Sequence, residues 1–113
     1  MTLPKAARLR RRREFLEVQQ RGRRLYSGEV LVLALTSGGA RPRIGVTVSS
    51  KIANAVGRNR VKRWVREAFR AVQADLPPVD LVVIARRGAP EMGLAGAQRA
   101  LVAARDVLTG ARA

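Results

Sequence analysis

The sequence of 113 residues contains no cysteine and no histidine. Without cysteine, the chain has no disulfide framework, no thiolate nucleophile and no cysteine metal ligand. Without histidine, it also lacks the commonest general base and the commonest metal ligand. Gly-rich loops of the P-loop or dinucleotide-binding type are missing as well. We therefore expect no catalytic residue, no metal site and no cofactor on the protein itself.

Acidic residues are scarce: eight Asp and Glu stand against 23 Lys and Arg, giving a net charge of +15. Such a charge opposes compaction through self-repulsion and indicates an anionic partner. Phosphate backbones are the commonest partner of this kind, because each neutralised phosphate releases condensed counterions. Sixteen of the 23 cations fall in two blocks, residues 1–24 and 51–70. The charge therefore predicts binding to a nucleic acid.

The sequence has no long hydrophobic run and no apolar stretch after its charged N-terminus. No segment approaches the roughly 18 apolar residues of a membrane span, and no secretion signal is recognisable. We therefore expect a cytoplasmic protein with no membrane partner. The length suits one domain over residues 1–113, and a hydrophobic content of 47% indicates that it folds.

Hydrophobic periodicity predicts an α+β domain with the order α-β-β-α-β-α, in which helices pack on a small sheet. Residues 1–9 are expected to form a flexible basic arm. The predicted elements are a helix over residues 10–21 that stops at Gly22, strands over 29–36 and 43–49, a helix that ends near residue 75, a strand over 80–86 and a helix over 92–108.

The segment Gly57–Arg70 is the most informative part of the chain. As a helix, for which Asn54 is the candidate N-cap, it carries one apolar stripe at spacings of three and four. The stripe comprises Val61, Trp64, Val65, Ala68, Phe69 and Val72. The opposite face carries Lys62, Arg63, Arg66 and Arg70, after the entrance Arg58-Asn59-Arg60. This helix can pack on a core and present a row of fixed cations to a polyanion.

The first basic block places Phe15 directly after the run Arg10–Arg13 and Glu14. An aromatic residue at this position suits either a core anchor or a platform on which a base stacks. Glu14 and Glu17 lie one helical turn apart among arginines, where they are expected to be charge partners. In the strand over 43–49, strict alternation predicts a polar face that carries Arg43.

Together these motifs resemble the protein component of bacterial ribonuclease P. The resemblance covers nearly the whole chain, and its most specific part is Arg58–Arg63 with the flanking residues. The other matching segments are Arg8-Leu9, Glu14-Phe15, Gly22, Arg43–Ser49, Lys51, Asn54–Val56, Arg66–Arg70 and Asp80–Arg86.

The resemblance implies an α-β sandwich with a left-handed β-α-β crossover through the basic helix. It also implies the non-catalytic protein subunit of an endoribonuclease that removes the 5′ leader of precursor tRNA. In such a particle, a catalytic RNA performs the hydrolysis with Mg2+, so the expected partners are that RNA and precursor tRNA. No protein partner is predicted.

The resemblance divides the candidate site residues between two RNAs. The catalytic RNA is assigned to Lys51, Arg58, Asn59, Arg60, Lys62, Arg63, Arg66 and Arg70. The 5′ leader is assigned to Arg8, Arg11, Arg12, Phe15 and Arg43. Gln19 and Leu33 stand where the family often has further aromatic residues, and Ser50 stands where it often has a lysine. Leader binding is therefore expected to depend more on arginine.

Two other functions are compatible with the basic composition. One is a ribosomal or chaperone-like protein that binds structured RNA without a role in processing. The other is a nuclease that acts alone, which the absence of histidine and cysteine disfavours. The RNA that copurifies with the protein distinguishes the first of these from ribonuclease P.

Overall fold

One mixed four-stranded sheet organises the protein, whose computed structural model describes residues 3–26 and 28–110. The strands are β1 (Arg23–Tyr26), β2 (Val30–Thr36), β3 (Arg43–Thr47) and β4 (Val79–Ala85), and the helices are α1 (Arg12–Arg21), α2 (Ala55–Val72) and α3 (Gly93–Thr109). The spatial order of the strands is β1-β2-β4-β3. The predicted α+β class is confirmed, but the observed order is α-β-β-β-α-β-α, with one strand more than predicted.

The strand missed by the prediction is β1, which pairs antiparallel with β2 through Arg23 opposite Ala34 and Arg24 opposite Leu33. Its sequence begins with two arginines and has neither alternation nor an apolar run. Leu25 packs against the core. The formation of this strand therefore depends on its pairing with β2, because its own sequence shows no strand pattern.

Strands β3 and β4 are parallel neighbours, and α2 makes the crossover between them. Antiparallel β2 lies on the other side of β4, so β4 is hydrogen-bonded along both edges. This central position explains its continuous apolar sequence, which is typical of a strand covered on both faces. The left-handed sense of the crossover stays a prediction from the family resemblance.

The larger core lies between the sheet and helices α2 and α3. Alternation along the strands sends one set of side chains to this face, including Ile44, Leu81 and Val83, all of which are at most 1% exposed. The predicted stripe of α2 is confirmed: Val61, Val65, Ala68, Phe69 and Val72 are buried, and Trp64 is a half-buried side chain packed against them. In α3, Ala97, Leu101 and Ala104 are buried, whereas Leu94 is exposed.

The opposite face of the sheet carries a smaller core under α1, formed by Leu9, Val18, Leu33 and Val82. Phe15 and three further side chains, Leu31, Leu35 and Ile84, pack at its margin and stay half-buried. Because α1 is only ten residues long, it covers only part of this face. An open surface flanking α1 is the result.

The N-terminal segment is packed against the sheet, which corrects the expectation of a flexible arm over residues 1–9. Leu3, Ala7 and Leu9 are buried. The N–H of Leu9 donates to the carbonyl oxygen of Ile44 over 2.9 Å, so the segment covers the otherwise unpaired outer edge of β3. Residues 1 and 2 of the predicted arm lie outside the described residues.

Helix α1 ends before Gly22, as predicted. However, Gly22 does not adopt the left-handed conformation in which a glycine often ends a helix. Gly22 has a φ of −74°, which any residue adopts. A Cβ on Gly22 would lie 2.4 Å from the carbonyl oxygen of Val18 and 3.0 Å from that of Ala34. Close approach of α1 to β2 therefore requires glycine here.

The Phe15 ring lies directly on Gly45 of β3, and this contact supplies the first prediction. A Cβ on Gly45 would come within 2.6 Å of the Phe15 ring and 3.2 Å of the Leu9 side chain. Gly45→Ala should therefore lower the free energy of unfolding by about 1–3 kcal/mol, as overpacking does. Urea unfolding measures this change. Gly38→Ala is the matched control, because nothing lies within 4 Å of its added Cβ; equal stability of the two variants would contradict the packing of Phe15.

Candidate nucleic-acid interface

The start of α2 is fixed by two side chains. Asn54 is the N-cap, as predicted, and its Oδ1 accepts from the N–H of Gly57 over 2.9 Å. Arg58 Nη1 donates to the carbonyl oxygen of Ala53 over 3.0 Å. Arg58 thus has a structural contact in addition to its predicted role toward RNA.

The cations of α2 form two rows, both outside the buried stripe. The half-buried row has a spacing of four and consists of Arg58, Lys62, Arg66 and Arg70. The exposed row consists of Arg60 and Arg63, with the uncharged Asn59 beside them. The half-buried row packs its aliphatic stems on the protein. Lys51 is exposed in the turn that precedes the helix. The structure therefore brings the residues assigned to the catalytic RNA together on and beside one helix.

The charge of this surface is almost uncompensated. Among the residues that the structure describes, Glu67 is its only acidic partner, and the Glu67 carboxylate lies 3.7 Å from Arg70 Nη1. Within the described part of the chain, no carboxylate forms an ion pair with Arg60, Arg63 or Arg66. Burial lowers the pKa of Arg66, and the charge of Arg8 lowers it further. An anion from outside the protein would relieve this repulsion.

On the α1 side, Arg43 bridges two carboxylates from different elements. Arg43 Nε and Nη2 donate to Asp80 Oδ1 and Oδ2 over 3.0 and 2.9 Å. Arg43 Nη1 donates to Glu14 Oε2 over 3.0 Å. Asp80 lies on β4 and is the one charged residue among the buried side chains of the described residues. The bridge thus ties α1 to the sheet.

Glu14 also caps α1, since its Oε1 accepts from the N–H groups of Arg10 and Arg11 over 3.2 and 3.1 Å. Burial acts to raise the pKa of Glu14. The hydrogen bonds from the backbone of Arg11 and Arg10 and from the Arg43 side chain outweigh burial, so the net shift is downward from 4.5. The interpretation of Glu14 as a charge partner is confirmed, and so is that of Glu17, which pairs with Arg21 over 3.4 Å.

These contacts affect how Arg43 could bind a phosphate. Hydrogen bonding and the charge of Asp80 raise its pKa despite burial, and Glu14 adds to the effect. Two carboxylates balance the guanidinium charge, and three of its five N–H groups are used. A phosphate would therefore have to compete with both carboxylates. The assignment of Arg43 to the leader stays a prediction, and the observed contacts show that Arg43 also links α1 to the sheet.

Two cavities flank this bridge. The N-terminal cavity, of about 570 Å³, is lined by Lys5, Ala6, Arg8, Arg10, Arg11, Glu14 and Arg43. The loop cavity, of about 560 Å³, lies between α1 and residues 35–41 and reaches Arg43 and Asp80. The N-terminal cavity is the more basic one. Its Lys5 and Arg10 were absent from the predicted site, because only the packed N-terminal segment brings them beside Arg8 and Arg11.

Phe15 acts as a packing anchor, while its role as a platform for a base stays a prediction. One side of its ring rests on Gly45, and the side chain as a whole stays half-buried. Gln19 is also half-buried, whereas Leu33 is 6% exposed in the core beneath α1. Leu33 is therefore not available to a ligand on this face. Arg12 is exposed in the first turn of α1.

The described residues contain neither a cluster of potential metal ligands nor a helix that could span a membrane. No group of three or more acidic side chains there could hold a metal ion. None of the helices in the described ranges is long and apolar enough to cross a membrane.

A mixed sheet with an uncompensated cationic helix on one side and a basic cleft on the other defines an RNA-binding α/β protein. The family model described as Ribonuclease P matches residues 3–108. The chain belongs to the ribonuclease P protein family.

Individual relatives agree with the family model. The ribonuclease P protein components of Desulfovibrio desulfuricans and Syntrophus aciditrophicus are 43% and 37% identical to the chain, over 81% and 89% of this chain and 73% and 86% of their own lengths. The RNase P proteins of Staphylococcus aureus and Thermotoga maritima have similar structures, with TM-scores of 0.80 and 0.75 at 29% and 32% identity. These matches cover 91% and 94% of this chain and 95% and 98% of the others. They favour ribonuclease P over the ribosomal or chaperone-like alternative.

The Arg43 bridge supplies the second prediction. Arg43→Ala leaves Glu14 and the buried Asp80 without their common partner, and should lower the free energy of unfolding at pH 7 by about 2–4 kcal/mol. Urea unfolding measures the loss. Arg41→Ala is the control, because Arg41 is exposed and lines the loop cavity together with Arg43. This substitution should lower the free energy of unfolding by less than about 0.5 kcal/mol.

The pH dependence of stability, compared between the wild type and Arg43→Ala, gives a third prediction. The pKa of Glu14 is lowered in the folded state, so its stabilising effect is complete above 4.5 and is lost as the pH falls through the folded value. The stability gap between wild type and Arg43→Ala should therefore be constant from pH 7 to about pH 5 and should shrink below about pH 4.5. A gap that stays constant down to pH 3 would exclude the Glu14 bridge.

Proposed function

We propose that the protein binds the catalytic RNA of ribonuclease P through α2 and the 5′ leader of precursor tRNA through the surface around α1. Membership of the family makes the chain an RNA-binding subunit of an endoribonuclease in tRNA processing. The observation that carries the proposal is the segregation of cations onto two surfaces, with α2 on one face of the sheet and α1 on the other.

For α2, the proposal rests on cations that form no ion pair with any acidic side chain among residues 3–26 and 28–110. Arg60 and Arg63 are exposed, and the guanidinium fork binds a phosphate with two parallel hydrogen bonds. Asn59 stands between cations and can donate to and accept from RNA groups. A long helix held on the core by Val65 and Phe69 presents these groups rigidly, which keeps the entropy cost of binding low.

For the α1 surface, the proposal rests on the half-buried Phe15 ring and the cations beside it. Arg12 is exposed, and Arg8 and Arg11 line the N-terminal cavity. Single-stranded nucleic acid is bound by just this combination, in which cations follow the backbone and an aromatic ring stacks on a base. A single-stranded leader fits this surface better than a rigid duplex.

The protein's part in cleavage is to bring two polyanions together. The chain has no histidine or cysteine, and its best-placed carboxylates, Glu14 and Asp80, are held by Arg43. We therefore assign hydrolysis and the Mg2+ that it needs to the catalytic RNA. The net charge of +15 screens the repulsion between catalyst and substrate, an effect that weakens as salt rises.

Removing charge from α2 and removing the aromatic ring from α1 should weaken binding of two different RNAs. Arg60→Gln combined with Arg63→Gln should weaken binding of the catalytic RNA about tenfold or more and reduce the salt dependence of binding, because phosphate contacts are lost. Phe15→Leu should leave that affinity unchanged and weaken binding of leader-bearing tRNA about fivefold or more relative to mature tRNA. Filter binding of each variant to each RNA measures both effects.

The choice of variants separates RNA binding from folding. Arg60 and Arg63 are exposed, whereas Arg58 also bonds to Ala53 and is therefore a less clean target. Thermal unfolding of each variant shows whether the fold is intact. Equal losses for both RNAs in both variants would mean that the two surfaces do not divide the RNAs as proposed.

A further inference from the structure

The two basic surfaces meet at the outer edge of β3, where the N-terminal segment runs. Arg8 pairs there with Ile44 in a parallel bridge, and it is one of the residues that line the N-terminal cavity. Leu9, the next residue, turns into the small core under α1. Arg8 therefore leaves the segment on the opposite side from Leu9, toward the side of the sheet that α2 covers.

Arg8 and Arg66 of α2 are neighbouring cations. Each is half-buried. Burial lowers the pKa of Arg66, and the charge of the nearby Arg8 lowers it further. In the described residues, no carboxylate forms an ion pair with either of them. Two guanidinium groups held together in this way repel each other, and an anion between them converts the repulsion into attraction.

A second observation at Arg8 also indicates a place that suits an anion. Arg8 Nε is buried and has no hydrogen-bond partner. Buried donors are nearly always satisfied, because an unmet donor is unfavourable. The cavity of about 570 Å³ beside Arg8 has room for an anionic group, and three more cations, Lys5, Arg10 and Arg11, surround it.

We propose that Arg8 and Arg66 together bind one backbone phosphate of RNA at the outer edge of β3. This inference rests on the proposed function, which makes RNA the source of the phosphate. It joins the α2 surface and the N-terminal cavity into one continuous path for RNA. Arg8, predicted to contact only the leader, then belongs to both surfaces.

A double-mutant cycle tests the shared phosphate. Arg8→Gln, Arg66→Gln and the double variant are titrated by filter binding with ribonuclease P RNA, and separately with a leader oligonucleotide, at several salt concentrations. Since one contact can be lost only once, the double variant should bind no more than about twofold weaker than the weaker single variant. In all three variants, the magnitude of the slope of log K against log salt should decrease by roughly 0.7–0.9, which corresponds to the loss of one phosphate contact.

Arg63 provides the matched control, because it is exposed on α2 and belongs to the outer row. The losses of Arg8→Gln and Arg63→Gln should multiply, and their double variant should lose about two phosphates from the salt slope. The proposal of a shared site is wrong if the losses of affinity from Arg8→Gln and Arg66→Gln multiply in the same way. It is also wrong if neither variant weakens binding of either RNA. The RNA that shows the coupled loss identifies the source of the phosphate.

Two further measurements keep the outcome unambiguous. If Arg66→Gln does not fold, Arg66→Lys replaces it: the lysine keeps the charge but loses the paired hydrogen bonds. It should weaken binding in the wild-type background and have no effect in the Arg8→Gln background, and an equal effect in both would overturn the proposal. If the wild-type protein binds ribonuclease P RNA no better than an unrelated structured RNA of equal length, the proposed function itself fails.

Discussion

The ion-pair bridge of Arg43 with Glu14 and Asp80 determines how the surface around α1 is built. Helix α1 is short and rests on a core of only four buried residues, so apolar packing alone holds it weakly. The bridge connects it to β4, and the same Glu14 caps its first turn. The width of the cleft beside Phe15 and the shape of both cavities follow from where this bridge places α1. Ion pairs with partial burial and three aligned hydrogen bonds have the geometry that such a role requires.

Charge is distributed so that the few acidic residues stabilise the fold and leave most cations of the described residues without an ion pair. In the described ranges, ion pairs involve only Arg21, Arg43, Arg70 and Arg105. The exposed cations of α2 form no ion pair there, and neither do the cations of the N-terminal cavity other than Arg43. The folded protein is therefore strained by its own repulsion at these places, and the binding of phosphate relieves it.

Local patterns in the sequence predicted α2 well, and distant contacts explain what they missed. The stripe through Val65 and Phe69 and the cap at Asn54 depend on spacings within one helix, so periodicity was enough to find them. The partners of Arg43 are 29 and 37 residues away, and no local pattern reveals them. The packed N-terminal segment and strand β1 likewise depend on pairing with β3 and β2. The site assignments to each RNA came from the family resemblance and stay predictions.

The central claim is that this cationic protein allows an RNA catalyst and an RNA substrate to meet. The most direct measurement is leader removal from precursor tRNA by ribonuclease P RNA over a series of Mg2+ concentrations, with and without the protein. The protein should shift the Mg2+ requirement to lower concentration and should cleave nothing when the RNA is omitted. An unchanged Mg2+ requirement, or cleavage by the protein without RNA, would contradict the account.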